Sequence, residues 1–205
     1  MGLFFNYIWG SLTESVKVLQ QSALDKNQKT RSLLIASLLS AFAALLQSAG
    51  AYLPIVGYFI SPFSTLPIIL CAVISLQTGM ISYFLTILLL FILQPTELVI
   101  FPFTTGLLGL AIGFSIAYLK KRILVVCSSS VILLLGISVI LYGLQFPLLG
   151  PDISSEFSIR TLGWVYVLSL FYSWVWVDGG AILLKKLGRI FPRVNIEKKA
   201  ALKKG

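Results

Sequence analysis

The side chains of this 205-residue chain that could bind a small molecule are few, and they lie inside or beside long apolar runs. They carry hydroxyls, an amide or aromatic rings, and those expected to contact a solute are Gln47, Ser48, Tyr52, Tyr58, Thr104, Thr105, Tyr172 and Trp174. A serine or threonine can return its hydroxyl to its own helix, so each hydroxyl alone is weak evidence. Gln47 does this less easily, and we expect it to face a neighbouring helix or a cavity.

Two carboxylates also lie beside or within apolar runs. Glu97 precedes the fourth run, where the macrodipole of a helix N-terminus favours an acid, so a capping role is preferred. Asp178 is followed by Gly179-Gly180 and precedes Lys185. If the glycine pair ends the helix, Asp178 pairs with a lysine near the headgroups; otherwise it is an ionisable, functional group at membrane depth. The sequence leaves both interpretations open.

The composition excludes most other chemistry. Hydrophobic residues make up 58% of the chain, charged residues 11%, and the mean hydropathy is +0.96, whereas a soluble domain is about 25% charged. Histidine is absent, so neither an HExxH zinc site nor a Ser-His-Asp triad can form. The sequence also has no Walker A motif and no GxSxG elbow. We therefore expect an all-α, polytopic membrane protein that is not an enzyme and holds no metal or cofactor.

Six transmembrane helices are predicted, because a helix needs about 20 residues to cross the hydrocarbon core. The run from Phe63 to Leu93 is too long for one untilted helix, and Gln77-Thr78-Gly79 divides it into the second and third. A loop with a proline at each end, Pro54 to Pro62, precedes this run. The other predicted helices are Leu33–Leu53, Leu98–Leu119, Ile123–Gly143 and Leu162–Leu184.

The basic residues give the orientation independently. With six helices, all of the 16 lysines and arginines except Arg160 fall on the side that holds both termini. The positive-inside rule therefore predicts that both termini are cytoplasmic. The same bias explains the formal net charge of +9, for which nucleic-acid binding is not needed.

The chain divides into three parts. Residues 31–188 form the predicted six-helix transmembrane domain, and residues 189–205 form a basic cytoplasmic tail. In residues 1–30 apolar side chains recur at helical spacing from Phe5 to Ala23. This pattern predicts an amphipathic helix that either lies in the cytoplasmic interface of the lipid bilayer or packs on the helix bundle.

Small residues recur every four positions in two of the predicted helices. The first helix has the row Ala36, Ser40 and Ala44, with Ser37 and Ala41 forming a parallel row; the fourth has Gly109, Gly113 and Ala117. Such rows let another helix approach closely in lipid. They serve either packing within this chain or the docking of a partner membrane protein.

The arrangement from Arg31 to Lys186 resembles the substrate-binding S components of energy-coupling-factor (ECF) transporters. The resemblance rests on size, six spans, a basic stop before an Ala/Ser-rich first helix, and two segments. These segments are Tyr52-Leu-Pro-Ile-Val-Gly to Ser64-Thr-Leu-Pro-Ile-Ile-Leu, and the Gly-rich run Thr105-Gly-Leu-Leu-Gly-Leu-Ala-Ile-Gly.

This resemblance implies a subunit that binds a small micronutrient for uptake, with a transmembrane coupling subunit and two ABC-type ATPases as partners. It implies that Ala36, Ser40 and Ala44 contact the coupling subunit and that Pro54 to Pro62 form a lid. The basic cytoplasmic face suits a bacterial inner membrane. A second resemblance, to MreD-like rod-shape-determining proteins, rests on the hydropathy pattern and on Leu45-Leu46-Gln47-Ser48. It implies a scaffold of envelope or cell-wall assembly that has no ligand.

Overall fold

In the part of the chain that the structure describes, six helices are long and apolar enough to cross a membrane, in agreement with the predicted number. In this computed structural model, residues 16, 29–53, 55–119, 121–146 and 159–202 are described, with side chains for residues 16, 30, 32–53, 55–119, 121–146 and 159–187. All the regular structure of these residues is helical, as predicted. The six spans are Ser32–Tyr52, Val56–Ile74, Leu76–Leu93, Glu97–Tyr118, Arg122–Gly143 and Ile159–Leu187.

Several spans consist of more than one helical segment. The segments are α1 (Lys29–Tyr52), α2 (Val56–Ile60), a 3-10 turn (Ser61–Ser64), α3 (Thr65–Ile74), α4 (Leu76–Leu93), α5 (Glu97–Ile100), α6 (Thr105–Tyr118), α7 (Arg122–Ser138), a π-helical turn (Val139–Gly143) and α8 (Ile159–Leu202). Successive spans run in opposite directions. We therefore call one end of the bundle the Glu97 end and the other the Arg122 end.

The second span begins earlier than predicted. Residues 56–64, which include residues 56–62 of the predicted loop, form α2 and the 3-10 turn. Pro62 lies in the first turn of the 3-10 segment, where a helix does not use the missing backbone N–H. Pro62, one of the two prolines that indicated a loop, is thus compatible with a helix, and the prediction of an irregular loop is wrong over residues 56–62; the role of this segment as a lid stays a prediction. Pro54 lies outside the described residues.

The break between the second and third spans lies at Ser75 rather than at Gln77-Thr78-Gly79. Ser75 is extended, with φ −160° and ψ 153°, and its side chain accepts a hydrogen bond from the Thr78 backbone N–H at 3.0 Å. A serine in this position caps a helix by satisfying one of its first free N–H groups. Gln77-Thr78-Gly79, which were predicted to separate the two helices, therefore belong to the first turn of α4.

The small-residue rows pack within the chain. Ala36, Ser40 and Ala44 are fully buried, and Ser40 Oγ lies 2.9 Å from Ser82 Oγ on α4. Since α4 covers this row, a partner helix cannot contact it in this arrangement, and its assignment to a coupling interface is corrected. Ser37 and Ala41, in the parallel row, are exposed.

The row on α6 packs closely against α3. A Cβ added at Gly113 would lie 2.5 Å from the Ala72 Cβ, and one added at Gly109 would lie 2.8 Å from the Ile68 Cβ. The two helices therefore approach closely because these positions have no side chain. This close approach corresponds to the interpretation in which the row packs inside the chain.

The sixth span continues through its glycine pair. The helix α8 contains Gly179 and Gly180 and passes the predicted domain boundary at residue 188 without a break. A Cβ at Gly180 would lie 3.3 Å from Ile69 side-chain atoms, so a small residue lets α8 pack closely on α3. Of the two interpretations that the sequence left open, the one in which this pair ends the helix is wrong.

Asp178 pairs with an arginine rather than with a lysine. Arg122, the first residue of α7, donates a hydrogen bond to Asp178 on α8, and its guanidinium lies 5.9 Å from the centre of the Trp174 ring. The side chains of Arg122 and Asp178 are 21% and 33% exposed. The pair therefore joins α7 to α8 at the Arg122 end.

Replacing one member of this pair is expected to weaken the bundle. We expect Asp178→Asn to lower the free energy of unfolding by about 1–2 kcal/mol, because a partly buried arginine loses its counter-ion. Thermal unfolding of the purified protein in detergent measures the effect. Lys186→Gln, at an exposed position on the same helix, is the control. Equal unfolding temperatures for the two variants would show that the pair contributes nothing to stability.

Two predicted segments lie mainly outside the described residues. Of residues 1–28 the structure describes Val16 alone, which is 4% exposed and belongs to a buried apolar cluster with Ile69 and Val177. The amphipathic helix over residues 1–30 stays a prediction. The side chains of the tail, residues 189–205, are also outside the described part.

Candidate functional site

A cavity of about 480 Å³ lies between five of the six spans at the Glu97 end. Its lining combines a polar side with an apolar and aromatic side. The polar side consists of Gln47, Ser61, Glu97, Thr104, Thr105 and Ser169, and the other of Gly50, Tyr58, Pro62, Ile100, Leu133, Ile137, Leu168, Phe171 and Tyr172. A volume of about 300–1,000 Å³ with a few convergent polar groups is typical of small-molecule sites.

Gln47 is the centre of the polar side. Its Oε1 accepts hydrogen bonds from Ser64 Oγ at 2.6 Å and from Thr105 Oγ1 at 2.9 Å. Its Nε2 donates to Glu97 Oε2 at 2.7 Å. The side chain is 1% exposed, so these bonds satisfy an amide that would otherwise be costly to bury. One glutamine thereby joins α1 to the 3-10 turn, α5 and α6.

The fourth span brings threonines to the cavity because its helix is interrupted. Residues 101–104 form turns between α5 and α6, at the position of Pro102. Proline has no N–H to continue the helical ladder, and the Pro102 carbonyl accepts a hydrogen bond from Tyr83 Oη at 2.9 Å. Irregular backbone at membrane depth is tolerated where it is buried in protein or lines a cavity. Thr104 and Thr105 lie at the restart of the helix.

The second span contributes in a similar way. It changes from α-helix to 3-10 helix at Ser61, and Ser61 and Pro62 line the cavity. Ser64, at the end of the same turn, is fully buried and donates to Gln47. Two discontinuous spans thus supply polar groups to one side of the site.

Five of the eight residues that the sequence predicted to contact a solute line this cavity. They are Gln47, Tyr58, Thr104, Thr105 and Tyr172. They come from four separate segments, so the fold brings together residues far apart in the sequence. Their role in binding stays a prediction.

The other three predicted residues do not line the cavity. Ser48 returns its hydroxyl to the Leu45 carbonyl of its own helix at 3.0 Å. Tyr52 is 64% exposed, and its hydroxyl donates to the Leu93 carbonyl at 3.0 Å. Trp174 faces Arg122 near the opposite end of the bundle. The structure therefore gives each of these side chains another local environment.

Glu97, Ser61 and Ser169 line the cavity but were missed as site residues. Glu97 is the first residue of α5, as its capping interpretation requires, but it also accepts the hydrogen bond from Gln47. Ser61 lay in the segment predicted to be a loop. Ser169 lies three residues before Tyr172 in an aromatic run, and this spacing of about one helical turn was the only sequence signal for it.

No protein-family model, curated protein or solved structure matches this chain.

Proposed function

We propose that this protein is a membrane-embedded solute-binding subunit, similar to an ECF-transporter S component, that serves the uptake of a small micronutrient. The observation that carries the proposal is the cavity at the Glu97 end, where side chains of Gln47, Glu97 and Thr105 meet beside aromatic rings. In the proposed orientation both termini are cytoplasmic, and this cavity lies toward the outer face of the cell membrane.

The cost of burying polar groups supports binding over a purely structural role. A bundle that serves only as a scaffold can fill its interior with apolar side chains, which leaves no amide or carboxylate to satisfy. Here two interrupted spans and a buried glutamine surround an open volume. Polar groups that converge on a space large enough for a small molecule are what solute recognition requires.

Transport by this subunit would need other proteins. The proposed partners are a transmembrane coupling subunit and two ABC-type ATPases, and the ATPases would supply the energy for transport. Since α4 covers Ala36, Ser40 and Ala44, we place the coupling contact on the exposed face of α1 at Ser37 and Ala41, beside Leu38. Small residues on that face allow another helix to approach closely.

Two tryptophan substitutions on α1 separate folding from partner assembly. Ala36→Trp is expected to prevent folding, because the fully buried Ala36 site has no room for an indole. Ala41→Trp is expected to fold normally and to reduce recovery of the partner at least tenfold, because Ala41 is exposed. Gel filtration and affinity purification from membranes measure the two effects. Normal partner recovery with Ala41→Trp would remove this face from the interface.

The function itself is tested by affinity purification from native membranes in mild detergent, followed by mass spectrometry. Recovery of two ABC-type ATPases with a larger membrane protein is the expected result. Recovery of envelope-synthesis or cytoskeletal proteins without an ATPase would contradict transport and support the MreD-like scaffold. Ala41→Trp serves as the matched control, because a specific partner should be depleted in that sample.

A further inference from the structure

We propose that the solute is a small organic cation, an amine attached to an apolar ring, and that the Glu97 carboxylate is its counter-ion. This inference rests on the proposed binding function and specifies its substrate class. Three independent features of the cavity carry it: an acid that no described cation pairs with, aromatic walls, and a buried hydroxyl that has no hydrogen-bond partner among the described residues.

Glu97 is the carboxylate of the cavity. It is half-buried and accepts a hydrogen bond from Gln47. Within the part of the chain that the structure describes, no lysine or arginine forms an ion pair with it; the ion pair of Arg122 and Asp178 lies at the other end of the bundle. A carboxylate removed from water is costly without a partner of opposite charge. A cationic ligand would supply that charge when it binds.

The walls next to this carboxylate suit the rest of such a ligand. The aromatic residues Tyr58, Phe171 and Tyr172 are part of the lining of the same cavity, together with the apolar Leu133, Ile137 and Leu168. Aromatic faces attract organic cations and also stack on ligand rings. An anionic ligand would instead meet like charge at Glu97 and the negative faces of the rings. The lining therefore favours an amine over an acid of the same size.

Ser169 gives the ligand a second polar contact. Its side chain is 1% exposed, it lines the cavity, and its Oγ has no hydrogen-bond partner among the described residues. A hydroxyl in a helix can usually bond a carbonyl one turn earlier, and Ser169 Oγ makes no such bond. An unpaired buried hydroxyl is costly, and a polar group of the ligand would remove that cost.

Three compounds of similar size and different charge test the proposal. They are phenethylamine, which is cationic at pH 7, 2-phenylethanol, which is neutral, and 3-phenylpropionate, which is anionic. The full chain in lipid nanodiscs is titrated by calorimetry, with empty nanodiscs subtracted to remove partition into lipid. We expect the amine to bind at least tenfold tighter than the alcohol, and the anion to bind weakest.

Variants then assign the preference to Glu97. Glu97→Gln is expected to bring the amine and alcohol affinities within threefold of each other, while the double variant Gln47→Glu with Glu97→Gln, which keeps one carboxylate in the cavity, retains the preference. Ser169→Ala is expected to weaken amine binding severalfold. Tyr118→Phe, at an exposed position near the Arg122 end, is the control and should leave all affinities unchanged.

A labelling experiment reads the charge of the cavity without requiring a well-fitted ligand. Ser61→Cys, at a partly exposed position that lines the cavity near Glu97, is placed in a Cys127→Ser background, because Cys127 is exposed whereas Cys71 is buried. The introduced thiol is labelled with a trimethylammonium and with a sulfonate methanethiosulfonate, and the ratio of the two rates is expected to be at least tenfold higher than the same ratio for a free thiol in solution. Glu97→Gln should reduce that ratio to within threefold of the ratio for a free thiol in solution.

The outcomes distinguish the two proposals. Equal binding of amine and alcohol by the wild type, tighter binding of the anion, or a preference that survives Glu97→Gln would overturn the counter-ion while leaving solute binding intact. If none of the three compounds binds and neither reagent labels the introduced thiol, the cavity does not admit solutes of this size. Both the cation and the binding function would then be wrong.

Discussion

Gly136→Ala is expected to prevent this protein from folding into a stable bundle. A Cβ at Gly136 on α7 would lie 1.9 Å from the Phe103 carbonyl oxygen, in the interruption of the fourth span. The obstacle is backbone, so no side-chain rotation relieves it. The free energy of unfolding should fall by more than about 3 kcal/mol, although alanine has a higher helix propensity than glycine by about 1 kcal/mol. Gel filtration and thermal unfolding in detergent measure the effect.

The chain contains a matched control for this substitution. Gly163 is also a helical glycine, on α8, but a Cβ added there would meet nothing within 4 Å. Gly163→Ala should therefore leave the unfolding temperature unchanged or raise it, through a propensity gain of up to about 1 kcal/mol. Equal stability of the Gly136→Ala and Gly163→Ala variants would show that α7 does not approach residue 103 as closely as the structure has it.

Exchanging the residues at positions 47 and 97 should restore most of the stability that the single substitution Gln47→Glu removes. Gln47→Glu replaces the Nε2 donor with a second carboxylate beside Glu97 Oε2, and is expected to lower the free energy of unfolding by about 3 kcal/mol at pH 7. Glu97→Gln keeps an acceptor for Gln47 and should cost less than about 1 kcal/mol. In the double variant an amide again donates to a carboxylate, while the carboxylate introduced at position 47 can still accept from Ser64 and Thr105.

The double-mutant cycle should therefore give a favourable coupling energy of about 3 kcal/mol, measured by thermal or chemical unfolding. Acidification should also rescue the single variant Gln47→Glu, because two adjacent carboxyl groups can share one proton and form a hydrogen bond. Additive effects of the two substitutions would indicate that the Gln47–Glu97 contact is absent. A failure of acid rescue would contradict the carboxylate repulsion.

The sequence was sufficient to predict the number of spans but not all their boundaries. The length of the apolar runs and the charges of the loops reflect how favourably each segment is transferred into lipid, and both indicated six helices. The positions of proline and glycine indicate only local backbone preferences, and tertiary structure can override these. Pro62 fits the first turn of a 3-10 segment, and Gly180 lets α8 pack on Ile69, so neither position ends a helix.

Predictions about the site failed for a related reason. An amide inside an apolar run needs a partner, so Gln47 was correctly expected to face a neighbour or a cavity. A serine hydroxyl carries no such requirement because it can bond its own helix, as Ser48 does, so the sequence could not show that Ser169 is one of the residues that line the cavity. The same limit applies to the first helix, where the sequence could not show which small-residue row α4 covers.

The interrupted fourth span has a consequence for the order in which the chain is assembled during synthesis. Its polar groups meet partners that precede it in the chain: the Pro102 carbonyl bonds Tyr83, and Thr105 bonds Gln47. When this segment leaves the ribosome and enters the bilayer, the first three spans have already been made. The segment can exchange water for protein partners directly, without its broken backbone being exposed to lipid. Moving these residues to a position before the third span would remove that advantage.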